Sequence, residues 1–331
     1  MKKIFLVPLF IIGLMPLASR AQTYTFEKSI ALPGDAGWDY LSIDKVNDRL
    51  YVSHGNAVNV VDLKTEQPVG VISNLQGIHG IAIDNKANRG FISDGKANAI
   101  VAFDLKTLAT IATIPIDGKD PDCIIYEPYS DRVFSFNGDS NSSSVLDPNT
   151  LKQVGTVDLG GGPEFAVSDG KGNIYNNLED KNSLDVIDVK SLKVIANYPL
   201  APGGGPTGLA IDIKNGRTFS GCRTNKGMSV IDIKTGKVIA TLPIGAGVDA
   251  VAFDPETKLI FCSCGDGTVT VIKEENADSY TVVQTIKTQN RARTMALDTK
   301  THKIYLSVAE TAPNSRKALP GTFKVLVYEM K

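Results

Sequence analysis

Six residues that can do chemistry recur at matching places along the chain: Asp39, His79, Asp122, Glu164, Asp249 and Arg293. Carboxylates gathered with a neutral imidazole are a mixed oxygen and nitrogen donor set, so Asp39, His79, Asp122, Glu164 and Asp249 are the candidate ligands of a divalent metal. The same groups can act as acids and bases once burial and neighbours move their pKa values toward neutrality. Crowded like charges also need relief, which Arg293, His79 or a bound cation would supply. Thr207 occupies the remaining matching position, and His54, Asp94, Asn137, Asn177, Cys222 and Cys264 form a second set that arrives at the same opening. The third histidine, His302, falls in a turn on the opposite face, where it is read as solvated. No CxxC, HExxH, GxSxG or P-loop pattern occurs.

What brings these residues together is a repeat. An apolar run ending in an acid, a turn, a base and an aromatic returns seven times, with the acids Asp44, Asp84, Glu127, Asp169, Asp212, Asp254 and Asp298 spaced 40 to 44 residues apart. Arg49 with Tyr51, Arg89 with Phe91, Arg132 with Phe134, Arg217 with Phe219 and Lys303 with Tyr305 follow them, while the fourth copy has Asn173 and Tyr175 and lacks the base. A second phrase sits in mid-unit, as in Asp62-Leu63-Lys64-Thr65 and Asp104-Leu105-Lys106-Thr107, between alternating β-branched residues. An Asp that accepts backbone N–H groups between two such runs is a hairpin turn, a better account of near-copies than calcium binding. Four short strands per unit at this period predict an all-β fold, a seven-bladed β-propeller with four-stranded antiparallel blades. Its innermost strands begin at one face and the second strands return to it, so both sets of residues converge on one mouth. The last unit supplies three strands, and Thr23 to Ile30 is expected to fill its vacant outer position.

Gly37-Trp38-Asp39-Tyr40, His79-Gly80, Pro121-Asp122, Pro163-Glu164-Phe165, Pro206-Thr207-Gly208-Leu209-Ala210 and Ala292-Arg293-Thr294 also resemble the YVTN-repeat, or YncE-like, family of seven-bladed propellers. The likeness spans nearly all of the chain after its first residues. It implies the fold; the family has no single chemistry, so it implies no particular activity.

The 331 residues are 42% hydrophobic and 21% charged, enough apolar material for one large core. Met1-Lys2-Lys3, an apolar run from Ile4 to Leu17 and the small residues Ser19 and Ala21 read as a secretory signal peptide over 1–21, leaving one propeller domain over 22–331. The run is interrupted by Pro8 and Pro16 and is too short for a membrane span, so the protein is expected in the periplasm or secreted. Losing Lys2, Lys3 and Arg20 takes the net charge from -1 to -4, which argues against nucleic acid as a partner. A closed ring needs no second copy, and a monomer is expected. Cys222 and Cys264, at matching positions on neighbouring blades, are the expected disulfide if one forms; Cys123 is read as a packed small hydrophobe. Gly160-Gly161-Gly162-Pro163 and Gly203-Gly204-Gly205-Pro206 precede mouth residues, and an insertion from Ala309 to Gly321, with Pro313 and Arg316, is placed to act as a lid.

Two functions stay open. One is an exported propeller that binds a small ligand, a glycan or a protein partner through Asp39, His54, His79, Asp94, Asp122, Asn137, Glu164, Thr207, Asp249 and Arg293. The other is a metal-assisted hydrolase or lyase in which Asp39, Asp122, Glu164 and Asp249 hold the ion and His79 is the acid or base.

Overall fold

The computed structural model describes residues 23–35, 37–312, 315 and 317–331; the expected signal peptide at 1–21, the expected mature start at Gln22, and Pro313 and Arg316 of the insertion lie outside the described residues. Within them the strands form seven four-stranded antiparallel sheets, the blades of a β-propeller. Six blades are contiguous in sequence (38–72, 78–115, 121–158, 163–199, 206–243 and 248–287). The seventh joins Met295–Asp298, Lys303–Val308 and Lys324–Met330 to Tyr24–Ala31, which takes the outer edge expected of the N-terminal segment. Among the described residues helix is confined to two single turns, Gly95–Ala97 and Gly138–Ser140.

The recurring phrases explain the turns. Each acid that ends an innermost strand turns its carboxylate back onto the following backbone: Asp44 accepts from the N–H groups of Val46 and Asn47, Glu127 from Tyr129 and Ser130, and Asp254 from Glu256 and Thr257. These acids are buried, so the turn satisfies charges that would otherwise be costly. The mid-unit Asp residues do the same in the outer hairpins, as Asp62 does for Lys64 and Thr65 and Asp104 for Lys106 and Thr107. In three blades the base ties the blade to the next: Arg49 donates to the carbonyl of Leu105, Arg89 to that of Pro148 and Arg217 to that of Ala277, whereas Arg132 stays within its own blade, beside Asp147. In the last blade Lys303 reaches Glu27 at 2.7 Å and Glu66 at 2.8 Å, across the closure of the ring.

The aromatic member of the phrase builds the core. Tyr51, Phe91, Phe134, Phe219, Phe261 and Tyr305 are almost fully buried at the same level of successive second strands. Truncating a buried ring of this kind typically costs about 3–5 kcal/mol, so the repeat's aromatic position is a requirement of blade packing. Ring closure uses the same means, with Tyr24 packed edge-on against Phe261, its hydroxyl donating to the His302 carbonyl at 2.7 Å.

Candidate functional site

At the top of six innermost strands the pairing with the second strand skips, each time around the residue singled out by its chemistry. Trp38 pairs with His54 and the ladder resumes only at Leu41; Ile78 and Ile81, Pro121 and Ile124, Pro163 and Ala166, and Pro206 and Leu209 flank equivalent gaps, and Val248 and Ala250 a shorter one. A bulge frees its residues from the alternation of the strand and re-aims them. Asp39, His79, Asp122, Glu164 and Asp249 are thereby turned into the channel, with Arg293 beside them from the loop that opens the last blade.

They line one cavity of about 180 Å³, together with Tyr40, Phe165 and Arg223. Nδ1 of His79 lies 2.7 Å from Asp39 Oδ2 and 3.6 Å from Asp122 Oδ1, while its Nε2 faces Asp120 at 3.8 Å. Across the cavity Asp249, almost fully buried, is gripped by two guanidiniums: Arg293 at 2.5 Å and Arg223, which also holds Glu179 at 2.9 Å. Tyr40 and Phe165, from the first and fourth blades, stack across the channel with centroids 4.5 Å apart and planes 28° apart. They also line a second cavity, of about 340 Å³, with Leu41, Ile43, Ile81, Ile83 and Ile125, so the pair is a partition between a polar mouth and an apolar lower chamber.

Electrostatics in the mouth follow from burial and crowding. Burial alone lowers His79, but its hydrogen bond with Asp39 and the charges of Asp122, Asp39 and Asp120 outweigh this and raise it to about 9. Asp122 is pushed up to about 7, by burial first and then by Asp39, with His79 opposing. Glu164 rises to about 9, through burial, the Asp122 charge and contact with Glu179, partly offset by Arg223. Burial likewise raises Asp249, while Arg293 and Arg223 pull it back. Oδ1 of Asp122 is buried and accepts no hydrogen bond.

The second set of sequence candidates goes elsewhere. His54 stacks on Phe323 with centroids 3.8 Å apart, Asp94 accepts the Gln76 N–H at 2.8 Å, and Asn137 donates to Ser142 and Ser144. None of the three lines the cavity. The strand register is the reason: each pairs with the residue before the bulge and shares its face of the sheet, away from the axis. Thr207 sits in a bulge but is fully buried and donates to the Val248 carbonyl at 2.9 Å. Asn177 is one place short of the strand end, where Leu178 pairs with Pro163; its amide donates to the Thr207 carbonyl of the next blade. His302, expected in solvent, lies 2.6 Å from buried Asp254.

Cys222 and Cys264, the expected disulfide, are free buried thiols, as are Cys123 and Cys262. Equal height on neighbouring blades does not make them meet, because the Cys222 thiol turns toward Ser229 in its own blade and Cys264 toward its own strand. The glycine runs serve turns: Gly162 donates to Asp180 and Gly205 to Asn182. The insertion folds on itself through a bridge between Thr311 and Ala318 and is tied down by Gly321 donating to Asp35, and none of its described residues lines the cavity. Sequence reasoning missed Arg223, Glu179 and Asp120. The first two directly follow the ends of second strands and Asp120 precedes Pro121, so the loops flanking the mouth carried the signal.

The fold and site define a seven-bladed propeller with a charged cavity at one mouth. No protein-family model matches the chain. It is similar to antigen Lp49 of Leptospira interrogans, 38% identical over 76 residues that make up 23% of this chain and 17% of that protein, so the match spans under a fifth of the relative. Among solved structures it is similar to hydrazine synthase of Kuenenia stuttgartiensis, with a TM-score of 0.71 and 17% identity over 83% of this chain and 92% of the other. That likeness shows the fold alone.

Proposed function

We propose that this chain is an exported propeller of the YVTN-repeat kind that binds a small, positively charged ligand in the mouth of its channel. The observation that carries the reading is the buried Oδ1 of Asp122, which accepts no hydrogen bond, on a wall shared with Asp39 and Glu164. An unpaired buried acceptor is unfavourable by about 1–3 kcal/mol, which a cation would recover. Both cavity guanidiniums are already engaged by Asp249. At about 180 Å³ the cavity falls below the roughly 300–1,000 Å³ of drug-sized sites, which argues for an ion or a very small molecule over a glycan or a protein segment. Export is supported by the sequence of 1–21; mass spectrometry of exported protein should give a chain beginning at Gln22, and an intact leader would refute it.

The test is calorimetry and thermal shift with small ammonium compounds and with divalent cations, on wild type and Asp122→Asn. A true ligand at a hundredfold excess over its Kd stabilises by about 2.7 kcal/mol, and that gain should disappear in the variant. If neither class of cation shifts the transition, the reading is wrong. Catalysis is a second reading, favoured by the His79–Asp39 pair beside the Glu164 carboxyl, which has the composition of an acid–base set for a hydrolase or lyase. Turnover of lactones or esters that is lost in His79→Gln would establish it.

A further inference from the structure

We propose that Asp39, His79 and Asp122 hold one divalent ion of the zinc or manganese class, an inference that rests on and sharpens the cationic-ligand reading above. One donor atom from each residue lies within 4.8 Å of the others. Ligands bound to a single ion at about 2.1 Å are roughly 3.0 Å apart at right angles and roughly 3.4 Å apart at tetrahedral angles. The observed separations from His79 Nδ1, 2.7 Å to Asp39 and 3.6 Å to Asp122, bracket those values. The third pair, Asp39 with Asp122, lies within 4.8 Å, so side-chain shifts of up to roughly an ångström, with loss of the proton shared by His79 and Asp39, convert the cluster into three positions of a coordination sphere.

Two further observations point the same way. The first is Asp122 Oδ1, buried and without a hydrogen bond: His79 Nδ1, 3.6 Å away, is committed to Asp39 at 2.7 Å, and a shared ion would satisfy the oxygen. The second is Asp120, whose Oδ1 lies 3.8 Å from His79 Nε2, the ring nitrogen turned away from the other two carboxylates. A carboxylate at that distance is a small side-chain shift away from the hydrogen bond to the far imidazole nitrogen that fixes the orientation of a ligating histidine. All three donors stand on bulges of adjacent inner strands, in blades one to three, so the framework is rigid before any ion arrives.

The donor types choose the metal. Calcium takes six to eight oxygens and magnesium a near-ideal octahedron of them, whereas two carboxylates and an imidazole suit zinc or manganese. Two of the five ligands expected from the sequence drop out, because Asp249 is held by Arg223 and Arg293 and Glu164 is in contact with Glu179. The remaining coordination positions open into the cavity, where water or a second ligand fits.

The experiment uses the mature protein without a polyhistidine tag, stripped with a chelator, desalted and titrated calorimetrically with zinc, manganese and calcium chlorides. One equivalent of zinc or manganese should bind, with calcium at least tenfold weaker. Asp122→Asn and His79→Gln should each weaken the ion at least tenfold, and Asp120→Asn, which positions the imidazole, about tenfold. Melting and circular dichroism of the metal-free variants identify any that fail to fold, and either of the first two that folds is sufficient for the comparison. The proposal is overturned if wild type takes up no stoichiometric ion, or if a folded Asp122→Asn or His79→Gln binds it as wild type does. Ammonium compounds that bind in the presence of chelator while the metals do not would sink the metal and leave the cationic-ligand reading standing. Failure of both classes would remove both.

Discussion

Asp122, Glu164 and His79 respond to their surroundings in one direction, and the sign has a measurable result. Each has a folded pKa above its ordinary value: about 7 against 3.8 for Asp122, about 9 against 4.5 for Glu164 and about 9 against 6.5 for His79. A group raised in the fold contributes stability that is fully present below the ordinary pKa and lost as pH climbs through the folded one. The windows overlap between pH 6.5 and 7 for all three and extend to 9 for the last two. In chelator the melting temperature should therefore fall steadily from pH 6 to 9, and Glu164→Gln should flatten part of that slope; a melting temperature that rises over this range would contradict the burial argument. The acids, His79 and Arg293 were legible in the sequence because they repeat with the period. Arg223 was not, since it belongs to a loop and its role depends on which way Asp249 points.

At the scale of strands and turns, the bulge decides the site. Repeat counting located the mouth residues but could not tell that the strand ends opposite them face away, because period alone gives height along the blade and pairing register gives direction. The slip of one residue at Asn177 shows the sensitivity: the neighbouring position is an amide that clamps the next blade, as Ser263 does for the Arg293 carbonyl. The bulges also pack tightly against one another. A Cβ added at Gly208 would come within 2.6 Å of the Val251 backbone nitrogen, so Gly208→Ala should lose about 1–3 kcal/mol in denaturant unfolding; an unchanged midpoint would mean that the backbone gives way there. The insertion carries a different expectation from that of a lid. Ala309, Ala318 and the adjoining Phe323 are buried, so replacing 309–321 by a short turn should lower stability while leaving cation binding intact; lost binding with stability kept would restore the lid.

The whole ring was the most legible feature, since seven copies of one phrase, four strands each and a spare N-terminal segment admit few other arrangements. Its closing strand protects an edge. Deleting Thr23 to Leu32 would expose Lys324–Met330 along its length and should produce aggregates visible by light scattering, whereas a monomer that melts as wild type does would show that the closure is dispensable. The lower chamber is the part the sequence left unannounced, because Tyr40 and Phe165 look like ordinary inner-strand aromatics until two distant blades bring them face to face.

That closing strand also sets a timetable for folding. Six blades are built from hairpins whose partners are near neighbours in the chain, and such local pairings form quickly. Tyr24 instead pairs with Met330, 306 residues further on, so during synthesis from the N-terminal side this strand must wait unpaired until residues 324–330 exist. Closure of so long a loop makes completion of the seventh blade the slow, late event. Moving Thr23 to Leu32 to follow Lys331 would turn that distant meeting into one more local hairpin, and the permuted chain should reach its native state in fewer and faster kinetic phases than the natural one.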